Sequence, residues 1–509
     1  MRLTSLCLLL VGLATHAVPA AASGLQIIES EVHREGPRVF ADVTLRWDQS
    51  WRTNTSWDAA WVFLKARTGH SGWSSLRLLP TGHQVVENRY GGPGATLDVS
   101  EDSLGVFVYR DAPSDRGSNH WRIQFALASP PEGADLQVQA FGVEVVLASE
   151  GAYWLGDPEA SATPPEGPDG RWDLFGAFYQ QGANGASGPY RVQSEAAIRV
   201  CDGPGSLCYA DSQYDGEGDN VGPIPDAFPK GHRAFYAMKY ELTQGQYADF
   251  LNHLDRQQTA NRAIHGARNY ARRGRGTIAL VGDVYVAARP DRACNYLSWD
   301  DGAAWADWAG LRPMTELEYE KLARGQEEPV SGEYAWGSTA ISHGDSLTYA
   351  GFLVEAEDGL ETLSGNANYT PVGADWALGY GVHFTGGDEG FGPLRVGIFE
   401  TTADGDRERA GAGYYGATEL SGSLFERVVS ASHSIGRKFE GSHGDGQLSY
   451  AGRATNSDWP GMDAEGLGLR GGSFAFNPAY LSIARRSFGA YASFYRELAM
   501  GFRAVRTAP

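Results

Sequence analysis

Leu311-Arg312-Pro313-Met314-Thr315-Glu316-Leu317-Glu318-Tyr319-Glu320 contains a capping box. Thr315 stands three residues before Glu318, so each side chain can serve the other's backbone N–H at a helix start. Leu317, Lys321 and Leu322 carry the expected helix to Gly325, which stops it. Upstream, Thr243-Gln244-Gly245-Gln246 starts a second helix through Tyr247, Phe250 and Leu251, whose spacing lays the apolar groups on one face. Ser298-Trp299-Asp300-Asp301 starts a third through Ala304, Trp305 and Trp308, ended by Gly310. Beyond Gly325 the chain reads mostly as loop, which a compact domain tolerates where ions or function hold the backbone.

The composition agrees with few long helices. Sixty-six glycines among 509 residues are about twice the usual share of roughly 7%. Aromatic residues make up 12%, with 14 Trp. The apolar fraction of 42% and charged fraction of 20% fit a packed globular chain and exclude a disordered one. With 42 basic and 62 acidic side chains the net charge is −20, which argues against a nucleic-acid partner, because phosphate binding needs a surplus of Lys and Arg. The Arg-rich segment Arg262, Arg268, Arg272, Arg273 and Arg275 lacks interleaved aromatics beyond Tyr270 and is expected to contact the acidic body or a neighbouring subunit.

Residues 1–22 read as a cleaved secretory signal: Arg2, an apolar run from Leu8 to Ala14, Pro19, then Ala20-Ala21-Ala22. The expected protein is exported, to the periplasm, the cell surface or the medium, with no transmembrane segment. Residues 23–140 read as an antiparallel β-sandwich of immunoglobulin or fibronectin-III type, with strands at Val39 to Trp47, Ala60 to Lys65, Gly105 to Arg110, Trp121 to Leu127 and Leu136 to Ala140. Trp47, Trp51, Trp57, Trp61 and Trp73 could stack a carbohydrate, but the core and edges of a sandwich explain them more simply. An oxidising compartment makes a disulfide between Cys201 and Cys208 the expectation, across the turn-rich Asp-Gly-Pro-Gly-Ser-Leu loop. Cys294 reads as a small core residue. In the loops, Asn366, Asn368, Asp388, Glu389, Glu419 and Glu426 recur beside glycines, as an oxygen-ligated calcium would need; solvated loop acids are the plainer alternative.

Six ordered blocks resemble the formylglycine-generating enzyme (sulfatase-modifying factor) family. They are Phe235 to Thr243, Leu311 to Glu320, Tyr334-Ala335-Trp336-Gly337, Glu419 to Glu426, Leu469-Arg470-Gly471-Gly472-Ser473-Phe474 and Gly501-Phe502-Arg503-Ala504-Val505-Arg506. The resemblance assigns residues 141–509 to that domain and implies a loop-rich C-type-lectin-like fold, giving an α+β chain behind the all-β sandwich. It further implies copper-dependent oxidation of a protein cysteine, a chemistry that needs two thiolates to hold Cu(I). The family's cysteine positions fall here on Phe476 and Leu481, and no cysteine follows Cys294, so copper is not expected, although Ser473 keeps a family active-site serine.

Calcium is the cofactor that the resemblance leaves standing. One implied site comprises Asn368, the Tyr369 carbonyl, Glu389 and the Phe391 carbonyl; the other comprises Glu419, the Gly422 and Leu424 carbonyls, and Glu426. Glu389 and Glu419 stand where shorter side chains are usual, and Ser423 replaces a common Asn. The family's peptide groove maps onto residues 475–499 and offers Phe476, Tyr480, Arg485, Phe488, Tyr491, Phe494 and Tyr495, types enriched in binding hot spots. The expected function is therefore a non-catalytic binding or assembly protein that takes a protein or peptide ligand or self-associates. An oxidoreductase of altered chemistry and a hypervariable ligand-binding receptor are the alternatives.

Overall fold

The computed structural model describes residues 24–133, 135–161, 176–183, 188–209, 219–267, 270, 275–342, 365–370, 392–402 and 405–509. The expected signal segment and the calcium ligands Glu389 and Phe391 lie outside these residues, as do Arg268, Arg272 and Arg273. Among the described residues no helix is long and apolar enough to cross a membrane.

Before residue 150 the described residues form nine strands: β1 (Leu25–Glu35), β2 (Arg38–Arg52), β3 (Asp58–Thr68), β4 (Ser74–Leu78), β5 (Gln84–Asn88), β6 (Ala95–Val99), β7 (Gly105–Arg110), β8 (Ser114–Ala128) and β9 (Leu136–Ala148). Short strands follow: β10 (Tyr153–Leu155), β11 (Phe178–Gln180), β12 (Tyr190–Val192), β13 (Leu207–Tyr209) and β14 (Phe235–Met238). Then come α1 (Gln244–Asn252), α2 (Arg256–Arg262), β15 (Ile278–Val281), β16 (Val284–Ala287), α3 (Trp299–Trp308), β17 (Arg312–Pro313), α4 (Glu316–Arg324), β18 (Glu426–Val429), β19 (Leu467–Arg470) and β20 (Ala504–Thr507). The helices from Thr243, Ser298 and Thr315 each open with a complete capping box.

Strand β3 lacks polar alternation because both of its faces are covered. Ala60, Val62 and Leu64 point into a core shared with Val43, Leu45 and Trp47 of β2 and Trp121, Ile123 and Phe125 of β8. Ala59, Trp61 and Phe63 point the other way, into a core with Phe250 of α1 and Trp305 and Trp308 of α3. The Phe63 and Trp308 rings meet edge-on at 5.1 Å, and Trp61 Nε1 donates to the Ala309 carbonyl at 2.8 Å. The tryptophans Trp47 and Trp61 are thus core, not a platform.

One antiparallel sheet carries this arrangement through the molecule, in the order β1-β2-β8-β4-β3-β9-β14-β20-β17. The hinge of that order is β9, which pairs with β3 from Leu136 to Val146 and on its other edge pairs Val145 to Ala148 with β14. β14 in turn pairs with β20, close to the chain end, and β20 with β17. The position between 140 and 141 lies inside β9, so the first module and the region after it share a strand.

Helix α4 is buried at all nine positions, although Glu316, Glu318, Glu320, Lys321 and Arg324 are charged. Every one of these carboxylates is matched. Arg312 donates to both oxygens of Glu318 at 2.9 and 2.6 Å. Arg486 donates Nε and Nη2 to Glu316 at 2.7 and 3.0 Å, and Arg470 reaches both Glu316 and Glu320. The Gly156 N–H completes Glu320 at 2.7 Å. Removing one partner of such a pair strands a buried charge, at about 3–5 kcal/mol. Arg470→Met is therefore expected to lower the denaturant unfolding free energy by about that amount; a loss no larger than a surface substitution causes would contradict the description.

Candidate functional site

Gly471 and Gly472 turn the chain at φ +83° and +69° and bring Ser473 to a fully buried position. A Cβ on Gly472 would come within 2.7 Å of Leu481 Cδ1, so the turn and residue 481 are packed against each other. The Ser473 hydroxyl accepts the Ala475 N–H at 3.3 Å. Leu481 is fully buried in the core around Tyr319, Leu420 and Ile483. Phe476 is half-buried with its ring 4.8 Å from Phe425, 4.9 Å from Tyr480 and 6.1 Å from Phe488. Rings and an isobutyl group thus occupy the two positions onto which the resemblance maps the family's thiolates. The remaining sulfur chemistry is far from copper's needs: Cys201 is bonded to Cys208, and Cys294 is a buried thiol whose ionisation burial opposes.

The seven residues expected to form a groove separate into two groups. Phe476, Tyr480, Phe488 and Tyr491 make a continuous ring cluster, edge-on except for the stacked Tyr480–Phe488 pair, with the guanidinium of the buried Arg485 4.0 Å above the Tyr480 ring. A cavity of only about 10 Å³ remains between Tyr480, Arg485, Phe488 and Leu469. Phe494 and Tyr495 are different: their rings stack at 4.1 Å while 47% and 61% exposed. The exposed step, rather than the filled groove, is the part of 475–499 open to a partner.

Behind this surface lies an acidic centre. Glu419, Gly422 and Ser423 take φ values of +60°, +99° and +62°, a left-handed backbone that non-glycine residues rarely adopt. That loop brings three buried carboxyls into electrostatic contact. Glu241 accepts the Ser423 hydroxyl and the Leu424 N–H, both at 2.8 Å. Glu419 accepts the Gly397 N–H at 2.7 Å and the Thr418 hydroxyl at 2.6 Å. Glu426 accepts Arg503 Nε at 2.7 Å, and its second oxygen has no hydrogen-bond partner among the described residues. Burial, then the charges of Glu426 and Glu419, pushes Glu241 well above the usual carboxylate range; burial lifts Glu419 to about 7 and raises Glu426 against the pull of Arg503.

The expected ligands Asn368, Tyr369, Glu419, Gly422, Leu424 and Glu426 are all described, and two of the segments adjoin, since the Asn368 carbonyl accepts the Ser423 N–H at 2.9 Å. Among the described residues no three His, Cys, Asp or Glu side chains converge on a metal position, so a hard cation here would draw on main-chain carbonyls together with Glu426. The orphaned Glu426 oxygen and the surplus of carboxylate over the single Arg503 fit such an ion. Glu241 and Arg503 lie inside the quoted sequence blocks yet were given no role there. A charged residue within an apolar run was the available signal.

A second buried acidic group joins the first module to the rest. Asp58, at the start of β3, accepts the Trp51 N–H at 2.8 Å, and its other oxygen has no hydrogen-bond partner among the described residues. Glu144 of β9 accepts the Leu25 N–H at 3.0 Å. Lys239 Nζ lies 3.3 Å from Glu400 and 3.9 Å from Glu144. Burial raises Asp58 to about 8 and Glu144 to about 6; burial also opposes the Lys239 charge, but Glu400, Glu144 and Asp58 outweigh it and raise the lysine. An acid whose folded pKa is raised contributes stability below its unfolded pKa and loses it as pH climbs through the folded value. The Tm is accordingly expected to fall as pH rises from about 5 to about 9, and Asp58→Asn to flatten the upper part of that fall. A Tm that rises over this interval would contradict the assignment.

Residues 191–508 match the family described as "Sulfatase-modifying factor enzyme 1-like domain". A stretch of 105 residues is 31% identical to the formylglycine-generating enzyme of Thermomonospora curvata, covering 20% of this chain and 33% of that protein. A stretch of 53 residues is 43% identical to the formylglycine-generating enzyme of Streptomyces coelicolor, covering 10% and 16%. The chain thus spans a third or less of the length of these curated relatives. Among solved structures, the pilus backbone RrgB of Streptococcus pneumoniae aligns over 36% of this chain and 76% of that one, at 9% identity and a TM-score of 0.15, too faint a likeness to carry an argument. Because the family match takes in well over half of its length, the chain belongs to the sulfatase-modifying factor enzyme 1-like family.

Proposed function

We propose that this is an exported, non-catalytic binding or assembly protein, in which a β-sandwich precedes a family domain of C-type-lectin-like fold. The observation that carries this reading is the filling of both thiolate positions by Phe476 and Leu481, each packed by its neighbours. Export rests on the order of charged, apolar and small residues in 1–22. The relatives named formylglycine-generating enzyme supply the fold's ancestry, and the chemistry of that name has no sulfur ligands here.

Two surface features support association. The stacked Phe494 and Tyr495 stand in the open, and the β15–β16 ribbon exposes Leu280, Val281, Val284 and Val286. Aromatic pairs of this kind are frequent hot spots, worth about 2 kcal/mol or more each. The expected outcome by analytical ultracentrifugation is a self-associating wild-type chain and a Phe494→Ala/Tyr495→Ala variant that associates at least about tenfold more weakly. A monomeric wild type, or a variant that assembles equally well, would defeat the assembly reading.

Calcium is the proposed structural ion, held at the carbonyls of Gly422 and Leu424 with Glu426. A bound ion at about one hundred times its Kd stabilises by about 2.7 kcal/mol. A chelator is therefore expected to lower the Tm of the wild type and to leave that of Glu426→Gln unaltered. An equal response of the two proteins would remove this site from consideration.

A further inference from the structure

The β15–β16 ribbon is apolar on both of its faces. Its strands join through the two-residue turn Gly282-Asp283, with Gly282 at φ +64°, and pair Val281 with Val284, Leu280 with Tyr285, Ala279 with Val286 and Ile278 with Ala287. Side chains alternate along a strand, and directly paired residues share a face. Ile278, Leu280, Tyr285 and Ala287 make the face turned to the body, where Ile278 is buried and Tyr285 and Ala287 pack on the core around α1 and α3. Ala279, Val281, Val284 and Val286 make the outer face, and its three valines are 63%, 52% and 46% exposed. The solvated face of such a ribbon normally carries polar residues, and these four side chains have no polar atom.

The edges of the ribbon are better protected than this face. The Asn252 side chain accepts the Tyr285 N–H and donates to the Tyr285 carbonyl, both at 2.8 Å, as a neighbouring strand would. On the β15 side the Ile278 N–H reaches the Tyr270 hydroxyl at 3.4 Å. Strand addition is thus obstructed at one position of each edge, and the outer face is what remains for a partner.

Three features select a second copy of the ribbon as that partner. Alanine and β-branched valines give a flat surface that interdigitates with an identical one. The face is uncharged, so two copies meet there without the repulsion that a net charge of −20 imposes elsewhere. The two ends of the ribbon differ in sign: the exposed Asp283 stands at the turn, and the exposed Arg289 stands at the base, where its N–H donates to the Thr277 hydroxyl at 3.0 Å. Antiparallel stacking sets the Asp283 end of each copy over the Arg289 end of the other, whereas parallel stacking would oppose the two Asp283 carboxylates.

We propose that the outer face of the β15–β16 ribbon docks on the same face of a second copy of this chain, antiparallel and across a two-fold axis. The proposal rests on the assembly reading above and gives that assembly a defined contact. Its test is analytical ultracentrifugation of the full chain and of variants checked for an unchanged far-UV spectrum and Tm. Val281→Lys/Val286→Lys is expected to associate at least about tenfold more weakly. The added lysines reduce the net negative charge, so general repulsion would not account for that loss. Asp283→Arg is expected to weaken association about two- to fivefold, and Asp283→Arg/Arg289→Asp to restore it. If the wild type associates and the lysine variant associates as tightly, or the double charge reversal does no better than the single one, this proposal is overturned, while the assembly reading still stands on the Phe494→Ala/Tyr495→Ala comparison. A monomeric wild type would overturn both.

Discussion

The buried charge network on α4 is the constraint from which most of the family domain follows. A helix with three glutamates, a lysine and an arginine cannot be enclosed unless every charge is met, because the desolvation penalty of one unmatched ion is several kcal/mol. The partners come from both near and far in the chain: Arg312 of β17 and Glu333 close by, and Gly156, Arg470 of β19 and Arg486 about 150 or more residues away. Segments with little regular structure are thereby assigned their places by ion-pair geometry. Glu316 also accepts the Ala431 N–H at 2.8 Å, which ties the segment after β18 to the same helix.

The shared sheet extends that constraint to the first module. β3 and β9 are covered on both faces, so the two cores on either side of them are built from alternate residues of the same strands. Asp58 and Glu144, buried beside Lys239, sit where those strands meet β14. The module is consequently a structural wall of the family domain.

The sequence was most legible where the signal is local. A capping box spans four residues, and the three helices start where Thr243, Ser298 and Thr315 place them. The residue types at Phe476 and Leu481 are equally plain, and neither side chain is a thiolate. The unity of β9 was hidden, because Leu136 to Ala140 and Phe141 to Leu147 each look complete and only the pairing with β3 joins them. Glu241 was hidden for a similar reason: its partners Ser423 and Leu424 are about 180 residues away. The aromatic groove was legible as a composition but not as a surface, because ring contacts half-bury Phe476, Tyr480 and Phe488 against one another and leave Phe494 and Tyr495 outside.

The central claim is that this domain keeps its family's fold without the sulfur ligands for its family's oxidation. Titration of the reduced, purified full chain with Cu(I) in competition with a Cu(I) chelator tests it most directly. The account predicts that the chelator retains the copper at every ratio of protein to metal. One equivalent of copper withdrawn by the protein would contradict it.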